Sequence, residues 1–462
     1  MRQPLLLSTL SFALCQFASA QIYWPTYPTY ANVFIDPAYV LAKNFSANTA
    51  TAQQSIMNTA LELADQGPWS VVNKTAVAPS GDIHDYLSWA PYWWPDCSQV
   101  GNKTELTPEE IWTTCPYKSQ DGVFNPDFRL VNNTGDFWAV SDAIFYNALS
   151  WAINGSETFA TNTARFIDVW FVNNDTRMNP NLNYGQVIRG PGKRMGAHTG
   201  ILDLKCMTKV ASAVLILRDS KAPGWTTELD DQLVTWTKEY IKWLESSPIS
   251  LEEKAAKNNH GTFWYNQVAA LKILVGDKAG AASTVSEFFK GIYLEQIVKG
   301  GEQPFEAART RPYHYRAYNL AAMITNAQIG QFVDVPAFDL KTSAGATIKD
   351  ALDFAMAQSP KDEDAAELYP VIASVAAVYG DPEGKYAAFL AKASPNYPGD
   401  PYFLWSQPLS DSGWAPPVNS NTGASNNKNE GGGSSRSSAD RVHTVYFTWL
   451  SLFALLGMIC FF

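Results

Sequence analysis

The sequence predicts an all-α protein built around a single large domain. Three observations carry this. Apolar residues recur at spacings of three and four in about eleven segments. Short turns containing Gly or Pro separate most of these segments. Alternating apolar and polar runs are scarce, none has βαβ spacing, and no glycine-rich phosphate loop is present. With 462 residues, 46% of them hydrophobic, the chain is long enough for one large core.

The elements follow in order. A helix is expected over about 37–65. Phe137, Val140, Ile144, Ala148 and Trp151 mark the next, over 137–151. Further helices are expected over 157–172 and 199–217. Leu229, Leu233, Trp236, Tyr240 and Trp243 define one over 229–243, with Thr226 or Thr227 placed to cap it. The pattern continues over 262–275, 281–297, 314–329, 346–358, 364–379 and 384–393. A body of paired helices fits a bundle, a solenoid or a closed toroid of helical hairpins, and periodicity does not choose among them. No fixed-period repeat is visible, which weakens the tandem solenoids.

Both ends read as addresses. Arg2, the apolar run Leu5–Phe17 and the small residues Ala18-Ser19-Ala20 form a secretory signal over residues 1–20. The domain runs from about 22 to 408. A Gly/Ser/Asn-rich stalk follows over 409–443, too polar to pack. Residues 444–462 are apolar and end without a basic tail. Small residues, a polar spacer and a terminal apolar stretch are the pattern of a glycosylphosphatidylinositol (GPI) anchor, with attachment expected within Asn429–Ser435; the other reading is a single transmembrane tail, against which only the missing basic residues argue. The expected location is therefore secreted and held at the outer face of the plasma membrane or cell wall.

Cysteine and glycan usage agree with secretion. Cys15 and Cys460 fall in the two ends. Cys97 and Cys115 bracket a short polar loop and are expected to pair, while Cys206 sits in an apolar helical context as a buried thiol. Sequons occur at Asn44, Asn73, Asn102, Asn132, Asn154 and Asn174. No metal or cofactor is expected, because the Cys and His spacings fit no zinc site.

Charge narrows the partners. Lys and Arg number 34 against 44 Asp and Glu, a formal charge of −10. Losing Arg2 with the signal, and Arg436, Asp440 and Arg441 with the tail, takes it to −12. The charge argues against a general nucleic-acid coat, since phosphate binding needs a surplus of basic residues on some face. Aromatics reach 13%, with 16 Trp, and flat aromatic faces suit sugar rings as well as cores.

Four stretches resist a plain helical reading. The first is "HDYLSWAPYWWPDC" at 84–97, with "DGVFNPD" at 121–127. Its Tyr92, Trp93 and Trp94 suit the wall of a sugar groove. The second is "NPNLNYGQVIRGPGKRMGAHTGI" at 179–201, a glycine-rich basic loop holding Gln186 and His198, a candidate anion site in an acidic protein. The third is "KNNHGTFWY" at 257–265, with Asn258, Asn259 and His260. The fourth is "QPFEAARTRPYHYRAYNL" at 303–320, where Arg309, Arg311 and Arg316 interleave with His314 and three Tyr. His84, His198, His260 and His314 each fall in one of these stretches. A random scatter seldom does that.

The side chains on offer are amides, His, Arg and Tyr. No serine elbow, thiol pair or metal spacing accompanies them. β-Elimination across a uronic acid uses this set. Neutralising the C5 carboxylate stabilises the anion that forms when C5 loses its proton. A base takes that proton and an acid protonates the leaving O4. In β-mannuronate and glucuronate both groups lie on one ring face, so one Tyr can serve twice. In guluronate they lie on opposite faces, which calls for a His base and a Tyr acid.

"NNHG" at 258–261 and "ARTRPYHYRAYNL" at 308–320 resemble the catalytic stretches of the alginate lyase superfamily, the helical-toroid polysaccharide lyases. "DYLSWAPYWWPD" at 85–96 and "DGVFNP" at 121–126 resemble its N-terminal signature. The likeness spans about residues 80–400. It is closest to polysaccharide lyase family thirty-eight and more distant from family five. It implies an incomplete (α/α) toroid and four catalytic positions: Asn259 and His260 neutralising the carboxylate, Arg309, and Tyr315 as general acid, with the base either His260 or Tyr315. Asn258, Gln186, Tyr92, Trp93, Trp94, Arg311, His314 and His198 are the expected substrate contacts. Cys97 stands where the family often has Pro, and no second carboxylate neutraliser is assigned.

The expected function is thus a polyuronate lyase, acting on alginate, polymannuronate or glucuronan, as a monomer without cofactor. Two other readings stand beside it. A glycoside hydrolase on a similar toroid would need two opposed carboxylic acids, for which Asp85, Asp96, Asp121 and Glu306 are available. A non-catalytic surface protein would bind polysaccharide through the Trp-rich groove.

Overall fold

A computed structural model of the protein describes residues 33–100 and 106–405. The chain divides into two compact units, Met1–Pro417 and Val418–Phe462, and the described residues belong to the first. The expected signal, stalk and anchor segments, and the sequon at Asn102, lie outside the described residues. Among the described residues no helix is long and apolar enough to cross a membrane.

The fold is an all-α toroid. Its helices are α1 (Pro37–Leu41), α2 (Ala50–Gln66), α3 (Pro108–Thr114), α4 (Asn133–Asn154), α5 (Glu157–Ile167), α6 (Met207–Asp219), α7 (Thr227–Ser246) and α8 (Pro248–Lys254). They continue as α9 (Asn259–Leu274), α10 (Lys278–Lys290), α11 (Tyr293–Gln296), α12 (Pro304–Ala307), α13 (Pro312–Phe332), α14 (Ile348–Met356), α15 (Tyr369–Tyr379) and α16 (Lys385–Ala393). An inner row runs α2, α4, α6, α9, α13, α15, each packed on the next. Outside it, α5 covers α4, α7 and α10 cover α9, α14 covers α13 and α16 covers α15.

Sequence explains which helix goes where. α4, α6, α9 and α13 bury almost every residue, as helices walled on all sides must. α7 instead buries one stripe, Leu233, Trp236, Tyr240 and Leu244, and leaves the opposite face wet. Thr226 caps α7, accepting from the Leu229 N–H at 3.2 Å. Within the core, Lys209 of α6 meets Asp142 of α4 at 2.7 Å, so each buried charge has its partner.

The two ends of the described chain close the arc. Phe34 packs on Phe332 of α13 at 5.3 Å between ring centres, and Trp405 packs on Phe145 of α4 at 5.9 Å. The Tyr39 hydroxyl donates to the Leu404 carbonyl at 2.7 Å.

Some expected helices are divided. The stretch 37–65 breaks between α1 and α2, where Lys43 takes a positive φ of 52°. The stretch 281–297 breaks where α10 ends at Gly291. The residues 198–204 wind as a tighter 3₁₀ helix before α6. The one small sheet among the described residues pairs β1 (Trp93–Pro95) with β2 (Tyr117–Ser119), antiparallel, with Trp93 opposite Ser119. The disulfide Cys97–Cys115 joins the strands just beyond their paired ends, and Cys206 is buried and forms no disulfide.

Candidate active site

A cavity of about 690 Å³ opens where the inner helices α9 and α13 begin. All four sequence stretches that resisted a helical reading contribute to it. Ala90–Trp93, Asp121 and Phe124 form one wall. Gln186 and Thr199 come from the glycine-rich stretch. Asn259 and His260 come from the start of α9, and Arg309, Arg311, His314, Tyr315 and Tyr318 from the approach to α13 and its first turns. Arg311, His314, Tyr315 and Tyr318 are spaced at zero, three, four and seven, so one helical face presents them together.

The Tyr315 hydroxyl has two partners there. Arg309 Nη2 donates to it at 2.8 Å, and the Tyr92 hydroxyl lies 3.3 Å away. The guanidinium carbon of Arg309 stands 3.8 Å from the Tyr315 ring centre. Burial pushes the Tyr315 pKa well above the ordinary tyrosine value, and Tyr92 adds to this, while Arg309 pulls the other way. Burial wins, so the resting hydroxyl carries its proton. Arg309 by itself would favour the opposite sign.

The two arginines differ in their partners. Arg309 is clamped on Asp121, Nε to Oδ2 at 3.1 Å and Nη2 to Oδ1 at 2.7 Å. Its charge is therefore largely answered inside the protein. Arg311 has no carboxylate partner among the described residues. It donates to the Tyr92 hydroxyl at 3.4 Å, and its buried Nε has no hydrogen-bond partner.

The first turn of α9 supplies the amide and imidazole. Asn258 caps the helix, its Oδ1 accepting from the His260 N–H at 3.3 Å. Asn259 donates to the buried Glu306 through its backbone N–H at 2.7 Å and Nδ2 at 2.6 Å. Desolvation pushes the Glu306 carboxyl up to about 7, against the pull of those two donors. His260 Nδ1 lies 2.8 Å from Glu253 Oε1, and His198 Nδ1 lies 2.5 Å from Glu253 Oε2. One fully buried carboxylate thus holds two imidazoles. The two rings keep the Glu253 pKa low despite burial, and Glu253 raises that of His198. With Nδ1 engaged, His260 offers Nε2 to the cavity, and the helix N-terminus adds partial positive charge.

The far wall comes from α4 and the residues leading into α6. Trp138, Leu202, Asp203 and Lys205 line it. Asp203 accepts from Tyr86, Ser88 and Thr134 hydroxyls and from Gln186 Nε2 at 2.8 Å. Gln186 sits at a positive φ of 48°, a conformation strained for any residue but Gly, and its backbone N–H donates to the Ser88 hydroxyl at 2.7 Å.

Nine of the twelve expected site residues line the cavity: Asn259, His260, Arg309, Tyr315, Gln186, Trp93, Tyr92, Arg311 and His314. Three do not. Trp94 neighbours Trp93 in β1, and side chains alternate along a strand, so it points to the other face and donates to the Val123 carbonyl at 3.0 Å. Asn258 is spent on the helix cap. His198 stands behind His260, on Glu253. His84 is also outside, its Nδ1 2.7 Å from the Arg177 carbonyl. Sequence reasoning missed Trp138, Asp203, Lys205, Glu253 and Glu367, the last 2.6 Å from His314 Nδ1. No local pattern marks them, since each is brought to the site by a neighbouring element.

The carboxylates are poorly placed for hydrolysis. Asp121 is tied to Arg309, Glu306 lies behind Asn259, Asp203 is saturated by donors and Glu367 is tied to His314. Asp85 hydrogen-bonds Ser80 and Asn179, and Asp96 pairs with Lys118. Asp364, the fourth carboxylate of the lining, accepts from the Ala366 N–H at 2.9 Å, so each cavity carboxylate already has a protein partner.

His198, Glu253 and His260 also bring one ligand atom each within 4.8 Å of one another, a set that could take a metal ion. The 2.5 and 2.8 Å contacts among them are hydrogen-bond lengths.

An all-α toroid whose inner helices bring Asn, His, Arg and Tyr into one cavity defines a polysaccharide lyase. Residues 70–366 match the alginate lyase family, and the chain belongs to that family. It is similar to an alginate lyase from Bacteroides ovatus, with 27% identity and a TM-score of 0.70, covering 82% of this chain and 98% of that one. A second solved structure, alginate lyase A1-III from Sphingomonas species A1, aligns at 14% identity over 73% of this chain and 90% of that one, with a TM-score of 0.41. No curated protein matches the chain.

Proposed function

We propose that this lyase cleaves a uronic-acid polymer by β-elimination, with mannuronate or glucuronate units as its substrate. The single observation that carries the reading is the Arg309–Tyr315 contact at 2.8 Å inside a cavity that also holds Asn259 and His260. Asn259, His260 and Arg311 surround the C5 carboxylate and neutralise it as the anion develops. The Tyr315 hydroxyl gives its own proton to O4 as its oxygen takes the C5 proton, the C4–O4 bond breaks, and C4 and C5 become doubly bonded, so Tyr315 ends with one proton as it began. Arg309 beside it stabilises the negative charge that develops on the phenol oxygen between the two transfers. The membership in the alginate lyase family and the likeness to a Bacteroides alginate lyase support alginate-type polymers.

The same reading extends to location. The enzyme is secreted by its N-terminal signal and held at the cell surface by a GPI anchor, as a monomer. Asn44, Asn73, Asn154 and Asn174 are exposed and open to glycans. Asn132 is half-buried with its Nδ2 on Asp136 at 2.8 Å, so it is the poor acceptor of the set.

The test is absorbance at the enoate band during incubation with polymannuronate, polyguluronate, glucuronan and pectate. A rise with polymannuronate or glucuronan is expected. Tyr315→Phe should abolish the rise, by roughly 10²–10⁴-fold in turnover, while oligouronate binding persists. Reducing ends without absorbance would mean hydrolysis, and binding without either would mean a surface lectin.

A further inference from the structure

We propose that Lys205, seated on the face of Trp138, forms a separate anion subsite for the carboxylate of a uronate unit not being cleaved. This rests on the polyuronate reading of the cavity and adds a binding site remote from Tyr315.

Lys205 is only 3% exposed, yet it lines the cavity. Its ammonium stands 4.2 Å from the Trp138 ring centre. No carboxylate lies within ion-pair distance of it among the described residues. The carboxylate beside it, Asp203, is occupied by Tyr86, Ser88, Thr134 and Gln186. Lys209, four residues on, makes the contrast: its ammonium is 2.7 Å from Asp142. A buried ammonium on an aromatic face, without an anion, is costly to keep. Burial accordingly pulls its pKa down, against Cys206 and Asp203. A ligand carboxylate would complete the charge pair, and the half-buried Trp138 offers a flat face beside it for a sugar ring.

The place in the fold sets which sugar is held. Lys205 leads into α6 and Trp138 lies on α4, while Tyr315 lies on α13. α9, carrying Asn259 and His260, stands between them in the inner row. Packed helices are about 8–10 Å apart. The uronate at Lys205 is therefore set apart from the unit at Tyr315, further along the chain of the polymer. Binding energy gathered there would favour chains long enough to span both points.

The experiment compares wild type, Lys205→Met and Lys205→Arg on mannuronate oligomers from trimer to hexamer. Methionine keeps the length and the packing on Trp138 and removes the charge. The expected result is a KM raised roughly tenfold or more on the longer oligomers, little change on the shortest, and recovery in Lys205→Arg. The loss falls on KM rather than kcat, and the salt dependence of KM weakens in Lys205→Met. An unchanged KM at every length, in a variant that melts like wild type, would overturn the subsite. So would a loss confined to kcat. If wild type forms no unsaturated product from any polyuronate, the lyase reading fails instead. The subsite is then decided by calorimetry, where equal hexamer affinities for wild type and Lys205→Met overturn it. Should Lys205→Met not fold, Trp138→Phe gives the same length-dependent comparison with the charge retained.

Discussion

His260 and Glu253 form an imidazole–carboxylate pair, Nδ1 to Oε1 at 2.8 Å, with His260 in the cavity lining and Glu253 buried behind it. Glu253 has no solvent exposure and its other oxygen holds His198. The orientation of His260 is therefore set by a residue that never meets substrate. Replacing Glu253 with Gln puts an amide N–H where one imidazole needs an acceptor. Turnover should fall about 10- to 100-fold, in keeping with loss of an oriented imidazole. Steady-state kinetics on a variant of checked melting temperature measures this.

Glu306 gives the fold a pH dependence of definite sign. Its carboxyl is pushed from 4.5 up to about 7 by desolvation. An acid whose folded pKa is raised stabilises the fold fully below its unfolded pKa. That contribution is lost as pH rises through the folded value, here between about 4.5 and 7. Glu306→Gln removes the loss. The variant should be more stable than wild type at pH 8, by about 3 kcal/mol, and the gain should vanish near pH 4. The amide introduced at this position retains an acceptor for the Asn259 N–H. A flip of the Asn259 side chain then satisfies its own buried, partnerless Oδ1. Thermal melts at the two pH values read the difference.

Arg309 and Arg311 should separate in kinetics. Arg309 touches Tyr315 and is answered by Asp121, so Arg309→Ala should lower kcat by roughly 10²-fold. Arg311 has an unpartnered Nε and no internal carboxylate among the described residues, so Arg311→Ala should raise KM about tenfold. The reverse pattern would exchange their roles.

The outer helices were legible because a helix with one wet face writes its period into the sequence. Leu229 to Trp243 matches α7 in this way. The short helices α3, α8, α11 and α12 were not, since two turns or fewer give no usable period. The reactive residues on α9 and α13 were readable because they sit close together in the chain and share a helical face. Trp93 against Trp94 was not, because adjacent residues change faces only once a strand is known. Lys205, Asp203 and Glu253 stayed hidden for a different reason. Their chemistry comes from burial and from partners on other elements, and neither is written locally.

The Tyr39–Leu404 contact joins residues 365 positions apart. A chain made from its N-terminus cannot close the ring until Leu404 has been synthesised. Until then α4 lacks Trp405, and the inner row is an open arc with apolar edges. Folding is thus weighted to the end of synthesis, and so long a contact range slows it. A truncation that removed only Pro401–Trp405 would spare every cavity residue yet leave the ring without its clasp.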